Sequence, residues 1–550
     1  MRQKHILVIQ LNQSYQQYGR QKQDVIYRRT ILSELQKRDQ DFPLDDHDAI
    51  LGDVLRFLLW SFLVVIVATW LWRQYYKHAG DPRSKLPLPP GSMGFPLVGE
   101  TLSLITKGSD YYLSRREQYG HIYKTHLLGQ PTIRIIGADN VRHMLMGEHT
   151  TVESSYPKSL KRLLGPGGLL SATPESHRIR KKLLLKALAP AALHGHVPRI
   201  QKLVRRHILD WCNKGEQLGT DICKRLAMSV AANILIGFDV DDQKLQSIIN
   251  SFKTFTGNLF SLPWELPGSG LSKGLKARKQ LIKEIKKRLQ TETPHWSLVD
   301  ELKTLDETTA SLTADEMADA ILELWFAGND TSSSTSNSTL LALGKDDGVR
   351  KRIEEELAKN GLLNSEDELT FDSLKKLTYV DHVVKEVLRV YPPVGGGFRR
   401  VKKTMEIEGF QIPEGWSVIY SIRDTHQTSK LFEDREEFQP ERWNEMDKKT
   451  RLSGKRFHYI PFGAGARACP GENFARMFVK IFIVELIKTC KWELKNKNPK
   501  ISYFPVTKPS DDLPVTFHLR EDKTKSVDFL ESRDIFPHNT YRRLIPRFQL

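Results

Sequence analysis

Cysteine is scarce in this chain: its 550 residues include only 4 cysteines. So few thiols in so long a sequence exclude a disulfide framework. Cys212, Cys223 and Cys490 lie in partly apolar, helical stretches, where a cysteine usually serves as a small core residue. Only Cys469 has glycine-rich surroundings that indicate chemistry.

Acidic residues are outnumbered. Asp and Glu total 66 against 83 Lys and Arg, which gives a net charge of +17. Such an excess suits an acidic partner such as anionic lipid, nucleic acid or an acidic protein, and solvated surface charge explains it equally well. No nucleic-acid-binding motif is present, so we expect no nucleic-acid partner. The content of 39% hydrophobic and 27% charged residues is typical of globular proteins.

Long hydrophobic runs are also rare, and the one at residues 57–72 contains no charge. With its flanks it can reach the roughly 20 residues that cross a bilayer, and Trp60, Trp70 and Trp72 lie near its ends. The alternative is a buried helix of a soluble domain. A cleaved signal peptide does not fit a position so far from the start. Basic residues directly follow the run and acidic residues precede it, which predicts that the bulk of the protein faces the cytosol.

The chain therefore divides into five predicted parts. Residues 1–50 are a polar leader of unknown role, and residues 51–73 are a transmembrane anchor. Residues 74–100 form a proline-rich, stiff hinge. The main domain covers residues 101–522, and residues 523–550 are a polar C-terminal extension.

The main domain is helix-rich by its hydrophobic pattern. Apolar spacing predicts the helices 315–343, 349–359, 374–390 and 473–489. Short alternating runs predict the strands 121–127, 132–136 and 416–421. The mixture indicates a mainly α (α+β) fold with small sheets, preceded by one transmembrane helix.

The most specific motif is Phe462-x-x-Gly465-x-Arg467-x-Cys469-x-Gly471, directly before an apolar helical run. Glycines allow a tight turn and a close approach to a flat cofactor. The start of the following helix and the nearby Arg467 are expected to favour the thiolate form of Cys469. A thiolate can ligate haem iron axially, so the motif predicts a haem site.

Three further motifs accompany it. Glu386 and Arg389 are three residues apart and can pair on one helix face. Residues 327–331, Ala-Gly-Asn-Asp-Thr, lie within a predicted helix. The serine and threonine run that follows them favours local opening of that helix. Gly328 is expected to leave room for a cofactor. Residues 175–182 form a basic helical stretch that could equally be a solvated face.

Together these motifs resemble the cytochrome P-450 superfamily. The resemblance implies a helix-rich haem domain with haem b and Cys469 as axial ligand, supported by Phe462, Arg467 and Gly471. It further implies that Asp330 and Thr331 manage protons and that Arg442 joins Glu386 and Arg389 in a structural cluster. The residues expected to contact the haem propionates are His177, Lys181, Arg399 and Arg467.

Longer stretches resemble the retinoic acid hydroxylase family, over roughly residues 86–522. The most specific are 125–149, 177–193, 258–278, 391–426 and 480–494. This resemblance implies a membrane monooxygenase of the endoplasmic reticulum that hydroxylates a hydrophobic isoprenoid acid, retinoic acid first (4-hydroxylation type), with electrons from NADPH through a cytochrome P-450 reductase. Such a small hydrophobic substrate needs an apolar pocket with few polar anchors. The candidate lining residues, for which core packing is an equal alternative, are Phe260, Trp264, Phe326, Pro393, Val394 and Phe398.

Arg142 is a candidate partner for the substrate carboxylate, although a surface role fits it better. Two positions depart from that family. Tyr156 stands where the family often has a tryptophan on the substrate side, and the motif at residues 327–331 differs from that of the family. Two alternatives remain open at this stage: hydroxylation of a sterol or other terpenoid, and a haem-bearing lipid-binding protein without turnover.

Overall fold

The structure is a computed structural model that describes residue 33 and residues 45–238, 242–292, 296–309, 312–446, 455–503 and 505–520. The predicted leader lies mostly outside these residues, and the predicted C-terminal extension lies wholly outside them. The first 75 residues and the part from Tyr76 onward are two separate compact units.

The first unit contains most of helix α1, Asp45–Lys77. Within it, Leu51–Lys77 is a 27-residue segment long and apolar enough to cross a membrane, and none of its apolar window is buried. At about 1.5 Å per residue it exceeds the roughly 30 Å of a bilayer core. This finding fits the predicted anchor.

The second unit is dominated by helices. Their bounds are α2 Thr101–Lys107, α3 Ser109–Tyr119, α4 Ala138–Met146, α5 Lys158–Leu164, α6 Pro174–Ala187, α7 Pro190–Leu193, α8 Val197–Cys212, α9 Gly219–Val230, α10 Asp242–Gly257, α11 Gly270–Leu289, α12 Leu298–Thr309, α13 Ala314–Lys345, α14 Asp347–Lys359, α15 Phe371–Lys376, α16 Thr378–Val390, α17 Ile422–Thr428 and α18 Glu472–Thr489. A π-helical segment, Ala231–Ile236, extends α9.

The strands form small sheets beside the helices. Their bounds are β1 Ile122–Leu127, β2 Gln130–Ile135, β3 Val152–Ser154, β4 Gln217–Leu218, β5 Gly396–Val401, β6 Met405–Ile407, β7 Phe410–Ile412, β8 Ser417–Ser421, β9 Cys490–Leu494, β10 Ile501–Ser502, β11 Lys508–Pro509 and β12 Pro514–Leu519. The largest sheet has the order β1-β2-β8-β5-β3, in which β2 and β8 are parallel. The predicted helix-rich α+β class is therefore confirmed.

The core lies among the long helices. Trp211, Trp325, Phe478 and Phe482 are essentially fully buried in one apolar cluster that includes residues of α8, α13, α16 and α18. Burying each such side chain stabilises the fold by roughly 1.5–3 kcal/mol. Helix α13 thus runs through the middle of the domain, which places its central turns in the interior.

One predicted helix is wrong in detail. The segment 374–390 is not a single helix, because the chain breaks at Leu377 between α15 and α16. The carboxylate of Glu356 on α14 accepts hydrogen bonds from the backbone N–H of Tyr379 (2.7 Å) and Val380 (2.9 Å). These amides begin α16, so a residue of another helix satisfies them.

Candidate active site

Cys469 lies in a tight loop between Ile460 and α18. Gly463 (φ 69°) and Gly465 (φ 72°) adopt left-handed backbone conformations that favour glycine. The N–H of Cys469 donates to the carbonyl of Phe462 at 2.9 Å, which closes the loop. The N–H of Gly471, at the start of α18, donates to the Cys469 sulfur at 3.3 Å. The loop therefore presents one sulfur in a fixed orientation.

The Cys469 sulfur is accessible, although protein surrounds most of it. Burial and the charge of Glu472 raise the pKa of its thiol, and the Gly471 N–H and Lys181 lower that pKa only in part. The protein residues alone therefore favour the thiol form, whereas coordination of a metal ion deprotonates a thiol outright. An accessible sulfur of this kind fits a ligand to haem iron, which would become a thiolate on binding.

The expected influence of Arg467 on this thiol is wrong. Its guanidinium donates to the carbonyls of Leu169 (2.8 Å) and Ala172 (3.3 Å) and is not among the groups that shift the pKa of Cys469. Lys181 is the cation that lowers the pKa of Cys469. The side chain of Lys181 also donates to the carbonyl of Ala466 at 2.7 Å, three residues before the cysteine.

The four residues expected at the propionates do come together. Arg399 bonds the buried carboxylate of Glu148 at 2.5 Å, and Arg467 lies 3.4 Å from the same carboxylate. His177 is buried with its ring 6.1 Å from that of His149. Burial and Arg467 lower the pKa of His177 to about 3, so this ring is neutral near pH 7. The cluster thus contains two guanidinium groups, a lysine and a neutral imidazole.

The charge of this cluster fits haem. Lys181, Arg399 and Arg467 carry three positive charges and Glu148 carries one negative charge, which leaves a surplus of two. The two propionates of haem b would balance that surplus. Among the described residues, Glu148 Oε1 and Arg467 Nε make no hydrogen bond, but they lie 3.4 Å apart as an ion pair.

Glu386 and Arg389 form the predicted pair, with two hydrogen bonds of 2.9 Å. Arg442 joins it, as predicted, by a bond of 3.0 Å to Glu386. The same carboxylate also accepts bonds from the indole of Trp443 (3.0 Å) and the N–H of Gln439 (2.9 Å). Both side chains of the pair are almost completely buried. Four residues thus hold one buried carboxylate through five hydrogen bonds.

A buried histidine connects this cluster to the cysteine loop. The N–H of Ile460 donates to His426 Nε2 at 2.9 Å, so His426 Nδ1 carries the proton and donates to the carbonyl of Arg389 at 3.2 Å. Burial lowers the pKa of His426 to about 3, which keeps the ring neutral. The orientation of the loop is therefore set from α16 through one imidazole.

Helix α13 carries the candidate proton-handling residues. Asn329 donates to Asp330 Oδ1 at 2.8 Å, and Thr331 Oγ1 donates to the carbonyl of Ala327 at 2.6 Å. Burial raises the pKa of Asp330 above its ordinary value. Ala327 is exposed, and Leu324, Phe326, Gly328 and Thr331 around it on the helix are half-buried. An acid that holds its proton more firmly and a hydroxyl therefore occupy adjacent positions.

Two predictions about this helix are wrong. The helix does not open locally, because threonine hydroxyls bond back to carbonyls one turn earlier without interrupting it. Gly328 does not leave room for a cofactor: a Cβ atom there would lie 2.9 Å from Leu235 Cδ1 of the π-helical segment. The glycine therefore faces the side chain of Leu235.

The candidate substrate residues separate into two groups. Trp264 and Phe260 are 64% and 40% exposed on the loop before α11, and Arg142 is exposed on α4. The roles of the two rings as pocket lining and of Arg142 as a carboxylate partner stay predictions.

The second group is at least partly buried. Phe326 packs against the main core, and Pro393 is buried next to the partly buried Val394. Phe398 on β5 lies with its ring 6.0 Å from that of Tyr156. Their role as pocket lining stays a prediction.

Sequence reasoning missed three residues that organise the site. Glu148 holds both arginines, Glu323 bonds a loop beside them, and His426 orients the cysteine loop. Their partners lie far away in the sequence, so no local spacing could reveal them. The only available signal was a glutamate within the otherwise apolar residues 320–328 of α13.

Three features of this structure define the haem-thiolate monooxygenase class. They are a helix-dominated domain with small sheets, a glycine-bracketed cysteine loop before a long helix, and a central helix with an acid–threonine pair. The cytochrome P-450 family model matches residues 89–517. The chain belongs to the cytochrome P-450 family.

Several relatives are similar over most of the chain. The chain is 40% identical to cytochrome P-450 26B1 of Xenopus tropicalis over 468 residues, which cover 83% of this chain and 91% of the relative. It is 39% identical to cytochrome P-450 26C1 of Homo sapiens over 500 residues, or 86% and 96% of the two chains. The solved structure of retinoic-acid-bound cyanobacterial CYP120A1 superposes with a TM-score of 0.72 at 35% identity and covers 79% of this chain and 100% of its own.

Proposed function

We propose that the protein is a membrane-anchored monooxygenase that hydroxylates retinoic acid. The observation that carries the substrate is the similarity to the retinoic-acid-bound structure, at 35% identity over its whole chain. The similarity to cytochromes P-450 26B1 and 26C1, the hydroxylases of this acid that the sequence resembles, supports the same substrate. An apolar acid of this kind suits a site lined by Phe326, Pro393, Val394 and Phe398.

Each site residue has one role in this proposal. Cys469 ligates haem iron, and Phe462 and Gly471 shape its loop. Arg399, Arg467, His177 and Lys181 hold the propionates. When bound, haem supplies the reductive activation of dioxygen and the transfer of one oxygen atom to a C–H bond.

The chain's own residues control protons and water. Asp330 holds its proton more firmly than an exposed carboxyl because burial raises its pKa, and the Asn329 amide fixes the orientation of that carboxyl. Thr331 places a hydroxyl beside it, on the helix face that follows Ala327. A short proton path that excludes bulk water favours oxygen transfer over wasteful reduction.

The location and electron donor belong to the same proposal. The apolar helix Leu51–Lys77 would anchor the protein in the endoplasmic reticulum with the main domain in the cytosol, since Arg73, Lys77, Arg83 and Lys85 directly follow its apolar run. Protease treatment of sealed microsomes would digest the main domain only in that orientation.

Electrons would come from NADPH through a reductase, whose acidic face would dock on exposed basic residues such as Lys182 and Lys186. Electron transfer that is insensitive to ionic strength would contradict this docking.

Turnover tests the proposal directly. The full-length protein, reconstituted with lipid, reductase and NADPH, should convert retinoic acid to hydroxylated products that mass spectrometry identifies. The reduced carbon monoxide complex should have the Soret shift of a thiolate ligand. Cys469→Ala should lose both properties, whereas Cys212→Ser, a change at a half-buried cysteine of α8, should keep them.

Two outcomes would overturn the proposal. Preferential hydroxylation of a sterol or another terpenoid would show that the substrate is wrong. Binding of retinoic acid without any product, in haem-loaded protein with active reductase, would favour a binding protein instead.

A further inference from the structure

The loop 165–172, which connects α5 to α6, is bonded to helix α13 by carboxylates. The N–H of Gly167 donates to Asp319 Oδ2 at 3.1 Å, and the N–H of Leu170 donates to both oxygens of Glu323 at 3.1 and 3.2 Å. Asp319 and Glu323 are four residues apart, so they lie on one face of the helix. That face of α13 thus binds the loop through its backbone amides.

The carbonyl groups of the same loop are bonded from the other side. Arg180 of α6 donates to the carbonyls of Pro166 (2.8 Å) and Gly168 (3.2 Å). Arg467, two residues before Cys469, donates to the carbonyls of Leu169 (2.8 Å) and Ala172 (3.3 Å). The loop therefore connects helix α13 to the cysteine loop. Its amides donate to carboxylates of α13, and its carbonyls accept hydrogen bonds from Arg180 and Arg467.

The backbone of the loop 165–172 packs closely against helix α13. A Cβ atom at Gly168 would lie 1.8 Å from Glu323 Oε2, and one at Gly167 would lie 2.6 Å from the Cα atom of Glu316. Only glycine fits at such positions. The amides of the loop consequently reach the carboxylate of Glu323 directly.

Glu323 is a costly residue for this position. It is 7% exposed within an otherwise apolar part of α13, and burial raises the pKa of its carboxyl to about 7. The N–H of Leu170, then Arg467 and Arg180, lower that pKa in part. Burying a carboxyl at this cost is consistent with a specific structural task.

We propose that Glu323 is a positioning residue that acts through the loop 165–172 on Arg467. Its carboxylate holds the N–H of Leu170, so the neighbouring carbonyls of Leu169 and Ala172 fix the guanidinium beside the cysteine loop. The inference rests on the proposed function in one respect, the contact of Arg467 with a haem propionate. Glu323 thereby determines how firmly and in what orientation haem is held, although it does not touch the reacting atoms.

Two substitutions test this role. Glu323→Ala removes the acceptor, and we expect haem transfer to apomyoglobin to become about 10-fold faster or more, as is typical for outer residues that orient metal ligands. Glu323→Gln keeps one acceptor oxygen and should restore most of the haem retention. The propionate-bending bands in the resonance Raman spectrum should shift in Glu323→Ala and stay near the wild-type position in Glu323→Gln.

A matched control separates positioning from general stability. Glu485 is a fully buried carboxylate of α18 that bonds Arg205 and Gln201 instead of the loop. Glu485→Gln should lower the free energy of unfolding without moving the propionate bands. A shift of those bands in the control would contradict the assignment to Glu323.

A double substitution tests the route through Arg467. Arg467→Lys keeps the charge but loses the planar group that bonds two carbonyls at once. If Glu323 acts through this residue, adding Glu323→Ala to Arg467→Lys should change haem transfer less than about 2-fold, because the effects of coupled residues are not additive. Full additivity, or folded Glu323→Ala with wild-type transfer rates and bands, would overturn the inference. A wild-type protein without a thiolate-type carbon monoxide spectrum would instead overturn the proposed function.

Discussion

Glu386 is a buried charge that pairs with Arg389 and Arg442. The side chains of Glu386 and Arg389 are 0% and 1% exposed. Glu386→Gln leaves the guanidinium of Arg389 without its counter-charge, which costs roughly 3–5 kcal/mol when a buried pair loses one partner. We expect a lower midpoint of urea unfolding and less haem incorporated per polypeptide. Glu175→Gln, a change in the exposed pair with Arg178, is the control and should alter neither quantity noticeably.

An unchanged urea midpoint in Glu386→Gln would contradict this account of the cluster. The spacing of Glu386 and Arg389 made their pairing predictable from the sequence, because three residues bring two side chains to one helix face. The indole of Trp443 lies 57 residues from Glu386 in the chain, so its bond could not be predicted. The same limit applies to Glu148, which meets Arg399 across 251 residues.

At the scale of elements, α13 combines a structural and a chemical role. Thr331→Val removes the hydroxyl beside Asp330 and leaves the backbone bonds of the helix intact. We expect product formation per NADPH consumed to fall by a factor on the order of 10², the lower range for loss of a positioned proton-transfer group, with hydrogen peroxide in place of product. Thr331→Ser retains a hydroxyl and should retain most of the coupling.

Thr339→Val is the matched control on the same helix. Thr339 also donates to a carbonyl one turn earlier, at 2.8 Å, but it lies in the packed core. Its substitution should leave the ratio of product to NADPH unchanged. Equal ratios in Thr331→Val and wild type would contradict the role of Thr331 in proton control.

The bounds of α13 were largely predictable, whereas its contacts were not. Thr313 and Glu316 form a capping box that starts the helix, and this pattern is visible in the sequence. The serine and threonine run was expected to open the helix, but its residues are buried between other helices. Tertiary packing thus overrode the low helix propensity of that run. The break at Leu377 has the same kind of cause, since Glu356 of another helix supplies the cap.

At the scale of the whole molecule, the fold class followed from the sequence because hydrophobic periodicity is a local property. The site followed only in part. The glycine-rich turn around Cys469 could be predicted, since its residues are neighbours in the chain. The cluster of Lys181, Arg399 and Arg467 needs residues from β5, α6 and the cysteine loop, which only the tertiary structure brings together. The family resemblance predicted propionate contacts for these residues, and the structure explains their proximity.

His426 contributes to the acid sensitivity of the domain, as do other buried histidines with a lowered pKa such as His177. The pKa of His426 is about 3 in the folded protein because of burial, against about 6.5 in an unfolded chain. Between these values the unfolded state binds one more proton, so the free energy of unfolding falls as pH decreases below about 6.5, by up to about 1.4 kcal/mol per pH unit for this residue. His426→Gln removes that proton and should flatten the dependence, although it lowers stability at pH 7 by disturbing the bonds to Ile460 and Arg389. Urea unfolding at pH 7, 6 and 5 measures the slope, and His518→Gln at an exposed position of β12 is the control.

Because His426 holds Ile460 at the start of the cysteine loop, haem release should follow the same pH dependence as unfolding in the wild type. Parallel slopes in wild type and His426→Gln would mean that this imidazole does not couple acid to the haem site.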